Sequence, residues 1–233
     1  MTFSHRFLIV TAIFITCLIT ANIIAVKLMT LGIEPLRAGG FEFPSPLPAA
    51  IVIFPLSYIF GDILTEVYGY RLARRVIWLG FLCNLIAVAA FWVAGQIPAL
   101  DSEVQSAYDR ILGYTPRLLA ASFLAYLVGE FANSFILAKM KIKTKGRFLW
   151  SRTIGSTLVG QGLDAAVFIV IAFGGTMSWA LVGGIILTHW LVKTGYEVVA
   201  TPFTYMIVNY LKKKEGVDAY DRDTNFNPFM VTR

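Results

Sequence analysis

The sequence predicts an all-α, polytopic membrane bundle of six transmembrane helices with both termini in the cytoplasm. Three observations carry that prediction. Of 233 residues, 57% are hydrophobic and only 15% are charged, against about 25% charged in an ordinary soluble domain. The apolar residues concentrate in six stretches, each at or above the ~20 residues that cross a bilayer as a helix. The Lys and Arg residues gather in alternate connections between those stretches, as cytoplasmic loops require.

The stretches fall at residues 7–26, 48–68, 76–95, 118–138, 153–173 and 181–211. The first follows Arg6 as a signal peptide would, yet it runs on without a small-residue cleavage site, so we read it as a retained helix. The second and sixth contain Pro55 and Pro202, which free backbone carbonyls and predict kinks. The first connection, residues 28–47, is rich in Gly and Pro, and either covers a site from outside or serves as a linker. The second connection carries Arg71, Arg74 and Arg75, and the fourth carries Lys139, Lys141, Lys143, Lys145, Arg147 and Arg152. Asp101, Glu103 and Asp109 face Arg110 and Arg117 in the third, and the fifth has no charge. Only an even number of spans with both ends inside places every basic loop in the cytoplasm. Residues 1–211 are therefore read as one transmembrane domain, and residues 212–233 as a cytoplasmic tail that opens on Lys212, Lys213 and Lys214 and is polar and loosely ordered from Glu215 to Arg233. The location is the inner (cytoplasmic) membrane.

Several chemistries find no support. Cys17 and Cys83 lie in apolar runs, and His5 and His189 are far apart, so no metal-ligand spacing exists. The net charge of +6 sits beside spans, not on a soluble module, which argues against nucleic acid. No P-loop is present. Ser122, Ser156 and Cys17 lack a well-placed His, because His189 lies toward the outer end of the sixth span. No catalytic residues, cofactor or metal are expected.

The informative residues are polar groups inside spans. Each ionisable group there costs roughly 2.5–3.5 kcal/mol on insertion scales and so faces a partner or a cavity. Asp62 and Glu66 lie four apart on the second span, and Lys193 and Glu197 four apart on the sixth, with Tyr196 beside them. Glu130 and Asn133 lie three apart on the fourth, as do Gln161 and Asp164 on the fifth. These spacings place each pair on one helical face. Asn22 and Lys27 stand toward the outer end of the first. Lys193 can lock to Asp164 or Glu197, and Arg71, Arg74, Arg75 or Arg152 can neutralise Asp62 and Glu66. Acids nonetheless outnumber bases at mid-depth, and surplus carboxylates call for a substrate N–H or a coupling proton. Ser156 and Gly160 form a small-xxx-small pair for close helix packing, and such faces would also permit a homodimer. Trp78, Trp92, Trp150 and Trp179 fall near span ends, as interfacial anchors do.

Several segments, in order, carry a resemblance. They are Phe54-Pro-Leu-Ser-Tyr, Gly61-Asp-Ile-Leu-Thr-Glu-Val-Tyr-Gly-Tyr-Arg, Gly129-Glu130 with Asn133, Arg152-Thr-Ile-Gly-Ser-Thr and Gly160-Gln-Gly-Leu-Asp164. Lys193-Thr-Gly-Tyr-Glu-Val-Val-Ala-Thr-Pro202, Asp218-Ala-Tyr-Asp and Asn225-Phe-Asn-Pro-Phe complete the set. Together they resemble the queuosine precursor transporter family over residues 20–230, with Ala165 in place of an expected small hydroxyl residue. The resemblance implies uptake of 7-deazaguanine bases such as 7-cyano-7-deazaguanine, on a six-helix fold similar to vitamin-uptake binding subunits. In that setting Glu197, Asp164 or Glu130 would accept the N1–H and amino group of a guanine-like edge. Gln161 or Asn133 would read its carbonyl side, Lys193 its 6-oxo oxygen, and Tyr196 would stack on the ring, with Asn22 nearby. Lys27, Asp62, Glu66 and Arg152 would serve coupling or structural ion pairs. The alternative is a substrate-binding subunit that needs a separate ATP-driven module.

Overall fold

A computed structural model describes residues 4–113 and 116–230. Helix α1 (His5–Ile24) starts where the Ser4 hydroxyl accepts from the Phe7 amide at 3.1 Å, an N-cap. The first connection then folds into two small antiparallel ladders, β1 (Leu28–Met29) with β4 (Leu47–Pro48) and β2 (Leu36–Ala38) with β3 (Phe41–Phe43). It forms a strap rather than a free linker. The Ser45 amide donates to Thr188 Oγ1 at 3.0 Å, and Leu47 is fully buried.

A 3-10 turn (Ala49–Val52) leads into α2 (Phe54–Ile63), which widens into a π-helical turn over Leu64–Tyr68. Pro55 sits in the first turn of α2, where a missing N–H costs nothing. The irregularity expected at Pro55 therefore lies elsewhere, before the helix and in the π turn. Gly69 ends the element at φ +86°, and a side chain there would press on Ala219 and the Asp221 carboxylate. Helix α3 (Tyr70–Gly95) leads to α4 (Ser102–Leu112), an element not expected from the sequence. The Asp101 carboxylate caps α4 by accepting from the Glu103 amide at 2.8 Å, and none of its residues is buried.

Helices α5 (Pro116–Lys143) and α6 (Leu149–Phe173) form an antiparallel hairpin. They cross at Gly129 and Gly160, where a Cβ on Gly160 would stand 2.7 Å from Asn133 Cβ and 3.0 Å from the Gly129 carbonyl oxygen. The small-residue face expected on this helix is thus consumed inside the chain. Helix α7 (Trp179–Glu215) runs 37 residues through Pro202 and ends at Gly216 in the left-handed conformation. Three lysines lie in its last turn, where the helix dipole favours cations.

Among the described residues, five helical stretches are long and apolar enough to cross a membrane: His5–Ile24, Ala49–Tyr68, Tyr70–Gly95, one within Ser102–Lys143, and Leu149–Phe173. Helix α7, which covers the sixth expected span, is not among them, and His189, Lys193 and Glu197 interrupt its apolar run. Residues 216–230, expected to be loose, are tied down. The Arg74 guanidinium donates to the carbonyls of Asn225 (2.8 Å) and Asn227 (2.6 Å), and the Tyr70 amide donates to Asp221 Oδ2 at 2.9 Å. The Trp78 indole donates to the Pro228 carbonyl at 2.8 Å, so Trp78 anchors the tail.

The burial pattern is inverted relative to a soluble protein. Leu8, Ile86, Trp92, Val199, Phe203 and Met206 are exposed, whereas Asp62, Glu66, Arg74 and Glu130 are wholly buried. An apolar exterior around a charged interior is stable in lipid and not in water.

Candidate functional site

The interior polar groups form three layers. In the first, a cavity of about 90 Å³ is walled by Asn22, Phe54, Ser122, Asp164, His189 and Lys193, with Pro48 of the strap at its edge. That volume exceeds what a single water needs several-fold. Lys193 Nζ donates to Asp164 Oδ2 at 2.6 Å and lies 4.0 Å from the centre of the Phe54 ring. Asn22 is fixed between two helices: its Nδ2 donates to Asn84 Oδ1 at 2.9 Å, and Ser122 Oγ donates to its Oδ1 at 3.2 Å.

Below lies a layer with acids and, among the described residues, no cation of its own. Asn133 Nδ2 donates to Asp62 Oδ1 at 2.6 Å. Among the described residues, both carboxylate oxygens of Glu130 and of Glu197, the second oxygen of Asp62, the Gln161 Oε1 and the Tyr58 hydroxyl are buried without a hydrogen-bond partner. Among the described residues none of Asp62, Glu130 and Glu197 makes an ion pair.

The third layer is fully paired. Glu66 Oε1 receives Arg152 Nη2 at 2.8 Å and Lys212 Nζ at 2.6 Å, with Lys141 Nζ at 3.5 Å. Asp218 of the tail accepts from Lys141 (2.6 Å) and lies 2.9 Å from Lys212. Burial opposes ionisation of Asp218, but hydrogen bonds from Lys141 and Lys212 prevail and hold its carboxyl below the ordinary range.

Most of the expected residues therefore meet in the interior. Asn22, Asp164 and Lys193 share the cavity, while Glu130, Asn133, Gln161 and Glu197 form the layer beneath. The two acids of the second span divide: Glu66, in the π turn, pairs with Arg152, whereas Asp62, on α2, turns to Asn133. Arg74 instead holds the tail. Two residues do not join. Tyr196 is exposed, because one step along a helix turns about 100° from the inward-facing Glu197; the aromatic residues that line the cavity are Phe54, Tyr126 and Phe168, with Phe54 the one against Lys193. Lys27 is exposed beyond α1 and, among the described residues, makes no ion pair.

Three residues were missed as site members. Asn84 was legible as a lone amide in an apolar span. Phe54 carried no such signal. His189 lines the cavity beside Ser122, but the Ser122 hydroxyl donates to Asn22 rather than to the imidazole. A larger depression, about 810 Å³, opens at the α3–α4 corner, and none of the buried polar residues lines it.

A family model described as "Putative vitamin uptake transporter" matches residues 48–207. A Bacillus subtilis (strain 168) protein named "Probable queuosine precursor transporter" is 28% identical over 158 residues, covering 66% of this chain and 68% of that one. The "Queuosine precursor transporter" of Escherichia coli (strain K12) is 25% identical over 139 residues, covering 59% of this chain and 58% of its own length. No solved structure matches.

Proposed function

We propose, from the premise that this chain belongs to the putative vitamin uptake transporter family, that it imports queuosine precursors of the 7-deazaguanine type across the cytoplasmic membrane. In this reading α7 is the sixth span and both ends are cytoplasmic. The strap of residues 28–48 then covers the outer mouth, and the Glu66–Arg152 layer seals the inner one.

The observation that carries the proposal is the Lys193–Asp164 pair at the wall of a buried cavity beside Phe54. A flat base with a donor edge and a ring carbonyl matches that wall. Its N1–H and amino group suit the Asp164 carboxylate, its oxo oxygen suits the Lys193 ammonium, and its face suits Phe54. Asn22, held by Asn84 and Ser122, fixes the base in the cavity plane. Beneath this wall, Glu130, Asn133, Gln161 and Glu197 continue the polar path inward.

The purified full-length protein should bind 7-cyano-7-deazaguanine saturably, and Asp164→Asn should weaken that binding by roughly tenfold or more, the size of one charged hydrogen bond. Absence of binding by the unaltered protein would remove this reading.

A further inference from the structure

We infer that the layer between the two ion-paired ones is a proton-binding site, with Asp62, Glu130 and Glu197 as the groups that load and release it. Toward this layer α2 presents Tyr58 and Asp62, α5 presents Tyr126 and Glu130, α6 presents Asp164, and α7 presents Lys193 and Glu197. The one cation in that set, Lys193, is held by Asp164 at 2.6 Å. The cations on the inner side, Lys141, Arg152 and Lys212, converge on Glu66.

Asp62, Glu130 and Glu197 are thus buried in a bundle core with no positive partner among the described residues. Three unpaired carboxylates cannot remain ionised there, since each uncompensated buried charge carries a desolvation cost that burial in protein does not return. They must hold protons or another cation. Two neutral groups point to the same conclusion. Among the described residues, the amide oxygens Asn133 Oδ1 and Gln161 Oε1 are also buried and unpartnered acceptors. The layer therefore offers acceptors in excess, and hydroxyl protons on the carboxyl groups supply the missing donors. A proton fits better than a metal ion, because no group of three acidic, His or Cys side chains among the described residues closes tightly enough to clasp one.

The layer lies between the cavity and the paired inner layer, so a proton taken up beside a bound base would travel in the same direction. That coupling rests on the importer reading above, whereas the protonation itself does not.

Both parts are tested on the full-length protein. Without any ligand, infrared spectra at neutral pH should show the carbonyl stretch of a protonated carboxylic acid, shifted in D2O and diminished in Glu130→Gln and Glu197→Gln. A spectrum without that band would overturn the inference. In proteoliposomes, an acidic exterior should drive accumulation of 7-cyano-7-deazaguanine by about tenfold per pH unit for each proton carried. A protonophore should abolish this accumulation, and Glu197→Gln should not accumulate the base. Exchange of labelled for unlabelled base with no response to the pH gradient, or with a response to sodium alone, would overturn proton coupling and leave the importer standing. No exchange at all by the unaltered protein would overturn the importer and the coupling together.

Discussion

Lys193 and Asp164 neutralise one another in a place where neither is stable alone. Removing one partner of a buried pair strands the other charge and typically costs about 3–5 kcal/mol. Lys193→Ala or Asp164→Ala should therefore lower the thermal unfolding temperature in detergent. The double replacement Lys193→Met with Asp164→Asn should recover much of that loss without recovering base binding. A double variant as unstable as the singles would mean that a stranded charge is not what destabilises them. Asp218 allows a pH test at the other end of the chain. Its carboxyl is held below the ordinary range, so its contribution is present above the unfolded-state value and is lost as pH falls through the lower folded-state value. The stability gap between the unaltered protein and Asp218→Asn should be constant near neutrality and close only below the ordinary carboxylate range. A gap that widened with acidification would contradict the pairing with Lys141 and Lys212.

At the scale of elements, the α5–α6 hairpin depends on the crossing of Gly129 and Gly160. A methyl group on Gly160 would meet Asn133 Cβ at 2.7 Å, and overpacking of this kind costs about 1–3 kcal/mol. Gly160→Ala should destabilise the protein by that order in a melting series, whereas Gly195→Ala, on an open face of α7, should not. Equal effects would argue against a specific contact. The helices themselves were legible because hydropathy and length follow directly from the bilayer, and the Gly160 crossing was legible from the spacing of small residues. The strap, α4 and the π turn were not. They depend on local capping and on contacts such as Ser45 with Thr188, which link distant parts of the chain. The docked tail was hidden for the same reason: Arg74 reads as one more loop cation until Asn225 and Asn227 are seen to accept from it.

At the scale of the whole molecule, an apolar exterior encloses stacked polar layers, and the order of those layers gives the account of function. Spacing along single helices identified most of their members, since groups three or four apart share a face. It could not say which acid each cation would choose, nor that Phe54 rather than Tyr196 would face the cavity, because that is settled by how helices rotate against their neighbours. The measurement that tests the central claim most directly uses a bacterium lacking both 7-deazaguanine synthesis and its own importer, supplied with scarce 7-cyano-7-deazaguanine. With this chain in its membrane, queuosine should reappear in the tRNA, and Asp164→Asn at equal abundance should abolish the gain. Base binding by the purified protein without restored queuosine would point to a binding subunit that needs an ATP-driven partner, and would contradict an importer that works alone.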